Sequence, residues 1–292
     1  MQDLKKILFP TDFSRNADLA LLQGLRLSGF DCGELIIQHV VRDYFAEHRH
    51  FVAMFGIHEL QTAMDGYIET HVIPALGSSA KNIRITKVFS KGEPSAEIAN
   101  LANKEFVDLV LMASADGIFT NAVIRQTHRP VLVASLRGLP EGRSVKRIQR
   151  ILVATDFSRN SRQVTRYAFA LKNLYDSEIC MLHVLEAPTL PEFVFSRRAA
   201  DESMNRALDL ARQRLASMTP DAYINDPTVT RRVEFGTASD TIAAVANEIA
   251  ADITIVGAHP YGAFRRRIAT TTTDDLISKA ASPLLAVPVL ME

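Results

Sequence analysis

Residues 6–16, KILFPTDFSRN, return at 150–160 as RILVATDFSRN, and this repeat limits the fold more than any other feature of the chain. The offset is 144 residues, and it also carries His39-Val40 onto His183-Val184, Gly92 onto Gly236 and Asp108 onto Asp252. Landmarks that keep one register over such a distance mean that one module is present twice. A chain of 292 residues also exceeds what one core usually serves, so two domains are expected on length alone. Residues 136–147, LRGLPEGRSVKR, have the glycine, proline and charge content of a linker. The expected domains are therefore 1–138 and 147–292.

Each copy alternates short apolar runs with segments of helical period. Ile7–Phe9 and Ile151–Val153 read as buried strands. Ser14 and Ser158 follow as helix N-caps, since a side-chain oxygen can accept an orphan amide at a helix start. Leu19, Leu22 and Leu25, and then Tyr167, Leu171 and Leu174, recur at helical spacing. Second strands are expected at 35–40 and 179–185, longer helices around 51–75 and 193–217, and third strands at 83–89 and 228–235. Thr237-Ala238-Ser239-Asp240 resembles a capping box for the next helix, with Asp a poorer fit than Glu. Fourth strands fall at 107–112 and 253–256, fifth strands at 131–134 and 284–287. Such alternation predicts an α/β fold, a parallel sheet with helices on both faces.

The bulk numbers remove several function classes. Lys plus Arg and Asp plus Glu are equal at 33 each, so net charge gives no reason to expect nucleic acid or an anionic membrane as partner. No apolar run approaches the ~18–20 residues that span a bilayer, and MQDLKKILFP does not read as a signal peptide. Two cysteines, Cys32 and Cys180, make a poor disulfide framework, so a reducing cytoplasm is expected.

In a doubly wound sheet, ligands bind beyond the carboxyl ends of the strands, where the strand order reverses. For an order of 3-2-1-4-5, which alternation permits but does not fix, that point lies between strands one and four. Asp12 and Asp156 stand just after strand one, and Ala113 and Gly257 just after strand four, so both pairs face the same crevice.

Thr-Asp-Phe-Ser after strand one, His-Val ending strand two, Gly before the third helix, Asp opening strand four and a Pro-led last strand recur in this order in both copies. Over essentially the whole chain this pattern resembles the universal stress protein family, and the chain resembles a tandem member. The resemblance implies two doubly wound five-stranded parallel sheets of order 3-2-1-4-5, Rossmann-like and nucleotide-binding α-hydrolase-like, with modules pairing through their final strands. ATP-binding members carry a G-x2-G-x9-G-[S/T] loop after strand four, whose glycines let backbone amides approach phosphate at a helix start. Counted back from Pro283, Gly257 takes the first glycine position, Pro260 the second, and Thr270-Thr271 the Gly-Ser pair. In copy one, Ala113 to Pro130 spans 17 residues against 26 from Gly257 to Pro283, nine fewer, which is too short for the family loop. The resemblance thus implies an ATP site in the C-terminal copy only, with magnesium solely as the companion of the nucleotide. Its candidate residues are Thr155, Asp156, Val184 (against adenine), Gly257, His259, Arg265, Thr270, Thr271 and Thr272.

Plainer readings stand beside these. Asp12 persists in a copy without the loop, so each aspartate also serves as a polar strand end steering the following helix. His39 and His183 read as histidines hydrogen-bonded at a strand end, because no ligand-type residues flank them at metal spacing. His48, His50 and His58 match no standard metal spacing and suit an exposed helix. Cys180 sits in an apolar run as a small buried hydrophobe. Arg265, Arg266 and Arg267 are either phosphate contacts or a solvated turn; Thr270 to Thr273 suit a helix N-cap, and Asp274 and Asp275 favour the helix dipole but would repel phosphate. Two functions remain: a cytoplasmic, non-catalytic stress protein with a regulatory ATP site in copy two, or one binding no ATP and acting through protein contacts or another small ligand. An adenylating enzyme is disfavoured, since no Ser-Gly-Gly loop follows strand one. An intramolecular pseudo-dimer is expected, further pairing into a homodimer is open, and the protein partners are unspecified by the sequence.

Overall fold

The computed structural model describes residues 4–28, 33–42, 57–113, 117–135, 148–158, 161–186, 197–258, 272–279 and 281–288. The first copy runs β1 (Lys6–Pro10), α1 (Arg15–Ser28), β2 (Glu34–Val41), α2 (Ile57–Tyr67), α3 (Ile73–Leu76), β3 (Arg84–Lys91), α4 (Pro94–Lys104), β4 (Leu109–Ala113), α5 (Gly117–Gln126) and β5 (Val131–Ala134). The second runs β6 (Arg150–Ala154), α6 (Ser161–Tyr175), β7 (Glu178–Leu185), α7 (Arg197–Met218), β8 (Val229–Phe235), α8 (Ala238–Glu248), β9 (Ile253–Ala258), α9 (Thr272–Lys279) and β10 (Leu284–Pro288). A π-helical turn, Ile68–Val72, separates α2 from α3. It lies just ahead of Pro74, which has no amide to donate to the preceding turn.

The strand order is β3-β2-β1-β4-β5-β10-β9-β6-β7-β8. Each half is therefore a parallel 3-2-1-4-5 sheet, and the halves share one ten-stranded sheet through β5 and β10. That one pairing is antiparallel, with Leu284 opposite Val133, Leu285 opposite Leu132 and Ala286 opposite Val131. Side chains alternate across the sheet as strand geometry requires. Ile7, Phe9, Leu132, Ile151, Val153 and Leu285 join the core under α1, α2, α6 and α7. Leu8, Val131, Val133, Leu152, Leu284 and Ala286 join the core under α4, α5, α8 and α9. Both cores run unbroken from one copy into the other, and α5 packs on α9 across the junction.

The aspartate that opens strand four has a clear structural duty. Asp108 Oδ2 accepts the backbone amides of Lys5 and Lys6 at 2.9 and 2.8 Å, and Asp252 Oδ2 accepts those of Gln149 and Arg150 at 2.8 and 2.9 Å. Each carboxylate thereby sets the start of strand one against strand four. Gly92 and Gly236 sit at φ 152° and 146°, a conformation that side chains resist. A Cβ on Gly236 would also lie 2.5 Å from Thr241 Oγ1.

Helix starts follow the expectations unevenly. Ser14 Oγ accepts the Ala17 amide at 3.3 Å, as an N-cap should. For Ser158 no cap bond is seen: α6 is described from Ser161, residues 159 and 160 lie outside the described residues, and the buried Ser158 hydroxyl has no hydrogen-bond partner among the described residues. The capping box at Thr237 is also absent, because its hydroxyl makes no cap bond. Glu186 takes the Ala238 amide instead, at 3.0 Å, and Asp240 is drawn to Lys279 Nζ at 2.7 Å. Copy one uses Glu93, whose carboxylate accepts the Ser95 hydroxyl and the Ala96 amide. These bonds, the Ser95 hydroxyl foremost, hold its pKa below the ordinary glutamate range.

Leu132 is 1% exposed at the centre of the junction, and Leu132→Ala should cost about 2–5 kcal/mol in urea unfolding. Gly236→Ala should destabilise by about 1–3 kcal/mol through strain and crowding. Gly66→Ala on α2, where a Cβ meets nothing within 4 Å, should instead stabilise by up to ~1 kcal/mol in the same assay.

Candidate functional site

Strand order reverses between β6 and β9, so a crevice opens at their carboxyl ends. The turn after β6 is built by its own side chains. Thr155, only 7% exposed, donates its amide to Leu182 O, and its Oγ1 accepts the Phe157 amide at 3.1 Å. Asp156 is exposed, and its Oδ1 accepts the Ser158 amide and the Ser161 hydroxyl, both at 2.9 Å. Phe157 is thereby held at φ 60°, an uncommon conformation for a bulky residue. Its ring lies 4.1 Å from that of His183, and His183 Nδ1–H donates to Thr155 O at 2.7 Å.

Copy one repeats this construction. The Phe13 amide donates to Thr11 Oγ1 at 2.9 Å and the Ser14 amide to Asp12 Oδ1 at 3.0 Å. Phe13 sits at φ 63°, and His39 Nδ1–H donates to Thr11 O at 2.8 Å. Thr-Asp-Phe-Ser and the strand-two histidine thus form one hydrogen-bonded corner in both copies, and each histidine is satisfied at a strand end.

The register of β6 with β7 pairs Ala154 with Leu182, which brings Asp156 level with Val184 two residues on. Val184 is half-buried and packs against the core on the α8/α9 face. Gly257, also half-buried, lies near the end of β9 opposite Val287. Thr155, Asp156, Val184 and Gly257 therefore gather at the crevice. His259, Arg265, Arg266, Arg267, Thr270 and Thr271 lie outside the described residues; Thr272 opens α9, with its side chain outside them.

Thr273 has a duty beyond the helix N-cap that its sequence suits. Its Oγ1 donates to Gly257 O at 3.4 Å, tying α9 to the end of β9, and Thr120 Oγ1 donates to Ala113 O at 3.4 Å in copy one. Both threonines stand ten residues before the proline that leads the last strand, a signal present in the sequence. A second tie matches too: Lys279 Nζ donates to Ser239 Oγ at 3.2 Å, and Gln126 Nε2 to Ser95 Oγ at 3.2 Å. Fifteen residues separate Gly257 from Thr273 and six separate Ala113 from Thr120, so the extra nine residues of copy two fall entirely between these anchors.

Other candidates resolve simply. Cys180 is 6% exposed, and burial pushes its thiol pKa up, away from nucleophilic chemistry. His58 is exposed on α2, while His48 and His50 lie outside the described residues. Among the described residues no three His, Cys, Asp or Glu side chains converge as a metal site. No helix among them is long and apolar enough to cross a membrane. A cluster that periodicity did not reveal joins Asp18 to Tyr67 OH at 2.5 Å and to His71 Nδ1 at 3.0 Å.

Known proteins carry the same architecture. A universal stress protein from Archaeoglobus fulgidus superposes with a TM-score of 0.66 over 98% of this chain and 97% of its own, at 19% identity. Protein PA1789 from Pseudomonas aeruginosa superposes at 0.61, covering 98% and 93%, at 13% identity. By sequence, universal stress protein MJ0577 from Methanocaldococcus jannaschii is 28% identical over 152 residues, 44% of this chain and 93% of that protein. The description of the universal stress protein family matches residues 3–135 and again residues 147–288. With both halves matched, the chain belongs to the universal stress protein family.

Proposed function

We propose that the protein is a regulatory, non-catalytic stress protein whose C-terminal copy binds a nucleotide, ATP first, while its N-terminal copy serves structure. The working domains are 1–138 and 147–292, joined as an intramolecular pseudo-dimer, and the compartment is the cytoplasm. The carrying observation is the thirteen-residue connection 259–271, set between matching anchors where copy one has three residues. It opens beside a half-buried Val184, an exposed Asp156 and a glycine without a side chain at the strand end. The Ser158 hydroxyl next to Asp156, buried and without a hydrogen-bond partner among the described residues, adds a polar group.

In this reading Val184 supports the base and Asp156 accepts from a base or ribose hydrogen. Gly257 lets the phosphates approach the backbone, and Arg265 with Thr270, Thr271 and Thr272 meets their charge, His259 lying in the same connection. Magnesium accompanies the nucleotide. Bound ATP stabilises one state of the protein by mass action and so acts as a signal. A second reading, action through protein contacts without ATP, is favoured by Pro260 in a glycine position and by Asp274 and Asp275 beside the phosphate end.

The test is release of nucleotide from the denatured purified protein, followed by calorimetric titration with MgATP. Nucleotide release or saturable heat is expected. Gly257→Val should weaken binding more than about tenfold, ~1.4 kcal/mol, whereas Ala113→Val should leave it unchanged. No release and no heat at millimolar MgATP overturns the nucleotide reading in favour of the second.

A further inference from the structure

Because β5 and β10 run antiparallel, the amino ends of the copy-one strands lie beside the carboxyl ends of the copy-two strands. At that seam, on the α1/α6 face and so across the sheet from Val184, a cleft of about 280 Å³ is lined by residues of both copies. Leu4, Val107, Asp108, Arg129 and Pro130 come from copy one, and Arg166, Tyr167 and Ala170 from α6.

The charge in this cleft is unbalanced. The guanidinium groups of Arg129 and Arg166 make no hydrogen bond or ion pair to another described residue, although that of Arg129 lies over the Phe106 ring at 4.9 Å. Arg129 Nε is buried with no acceptor among the described residues, an arrangement that costs free energy until something accepts from it. The carboxylate present, Asp108, already receives two backbone amides on Oδ2. Tyr167 contributes a phenol whose pKa is raised by burial first and by Asp108 second, with Arg129 opposing, so it stands ready as a hydrogen-bond donor.

The fold does not require these groups. The repeat places Leu22 and Gln23 where copy two has Arg166 and Tyr167, and Ser282 where copy one has Arg129. At the matching seam Gln23 binds Ser135 through both ends of its amide, at 3.0 and 3.1 Å, and Ser282 pairs with Thr254 at 2.9 Å. At one seam these positions carry neutral groups whose hydrogen bonds are made; at the other they carry two arginines that line a cleft.

We propose that this inter-copy cleft is a binding site for a small oxyanion-bearing molecule, its phosphate or carboxylate held by Arg129 and Arg166 and its carbon body lying on Leu4, Val107, Pro130 and Ala170. Guanidinium forks suit both oxyanions, each binding through two parallel hydrogen bonds. Since both copies supply the walls, occupancy fastens the junction itself.

The experiment is thermal unfolding of the full chain with inorganic phosphate, glucose 6-phosphate or succinate, against sodium chloride at equal ionic strength. A saturable rise in Tm is expected with at least one probe, and the arm that responds identifies the source of the oxyanion. Arg129→Met and Arg166→Met should each weaken that probe at least tenfold, while Arg206→Met on α7 and Gly257→Val should leave its affinity unchanged. A response to no probe beyond the salt control overturns the proposal, as does an equal response in the Arg129→Met/Arg166→Met double variant. Loss of the response in Gly257→Val would assign the effect to the crevice of copy two and also overturn it.

Discussion

Three antiparallel residue pairs, Leu284 with Val133, Leu285 with Leu132 and Ala286 with Val131, decide how everything else in the molecule is arranged. A parallel sheet that stopped at β5 or at β10 would present a row of unpaired backbone groups flanked by apolar side chains, a template for aggregation. Pairing the two edges removes both at once and makes each core continuous with its neighbour. The edges that remain, β3 and β8, carry Arg84, Lys87 and Lys91, and Arg231, Arg232 and Glu234, charges that discourage further pairing. The same ladder reverses one copy relative to the other, so a ligand crevice and the floor of the opposite copy share one rim of the sheet.

Comparison of the copies separates what the fold needs from what it does not. The Asp108 and Asp252 clamps, the Thr-Asp-Phe-Ser corners, the histidine-to-threonine bonds and the positive-φ glycines occur twice with nearly the same distances. A residue kept in both halves, in the same bonds, has a structural account before any ligand is considered. This weighs on Asp156: its Oδ1 is spent inside the turn, as that of Asp12 is, so any nucleotide contact is an additional duty.

Much of this was legible in the sequence because the period of 144 residues lets one copy check the other. Strand positions, the bonded histidines and the buried Cys180 follow from pattern, while the 3-2-1-4-5 order comes from the family resemblance and not from alternation. Local signals were less dependable. Thr237 and Ser158 look like caps, yet the Thr237 hydroxyl makes no cap bond, the amide after it going to Glu186 just past β7, and the Ser158 hydroxyl has no partner among the described residues. A contact such as that of Glu186, 52 residues away in the chain, is invisible in a window of four residues. The seam cleft was illegible for a similar reason: Arg129 and Arg166 are brought together only by the β5–β10 ladder. The arginine–threonine stretch, from Arg265 through Thr271, lies outside the described residues, so its chemistry rests on sequence and on the geometry that frames it.

That framing is itself informative. Thr120 and Thr273 make the same bond to the end of strand four, and Gln126 and Lys279 reach the same serine position on the preceding helix. The last helix is thus docked equivalently whether three residues or thirteen precede it. Copy one shows that the short connection suffices to build the sheet, cap it and pair its edge. The additional length in copy two therefore supplies nothing that the architecture needs. Loop closure grows costlier with length only slowly, about 0.6 kcal/mol for each doubling, so the fold tolerates the longer connection without being stabilised by it. The sequence of that added length is rich in arginine and threonine, and the described residues at its two ends belong to the strand and helix that bound the crevice of Val184, Asp156 and Gly257.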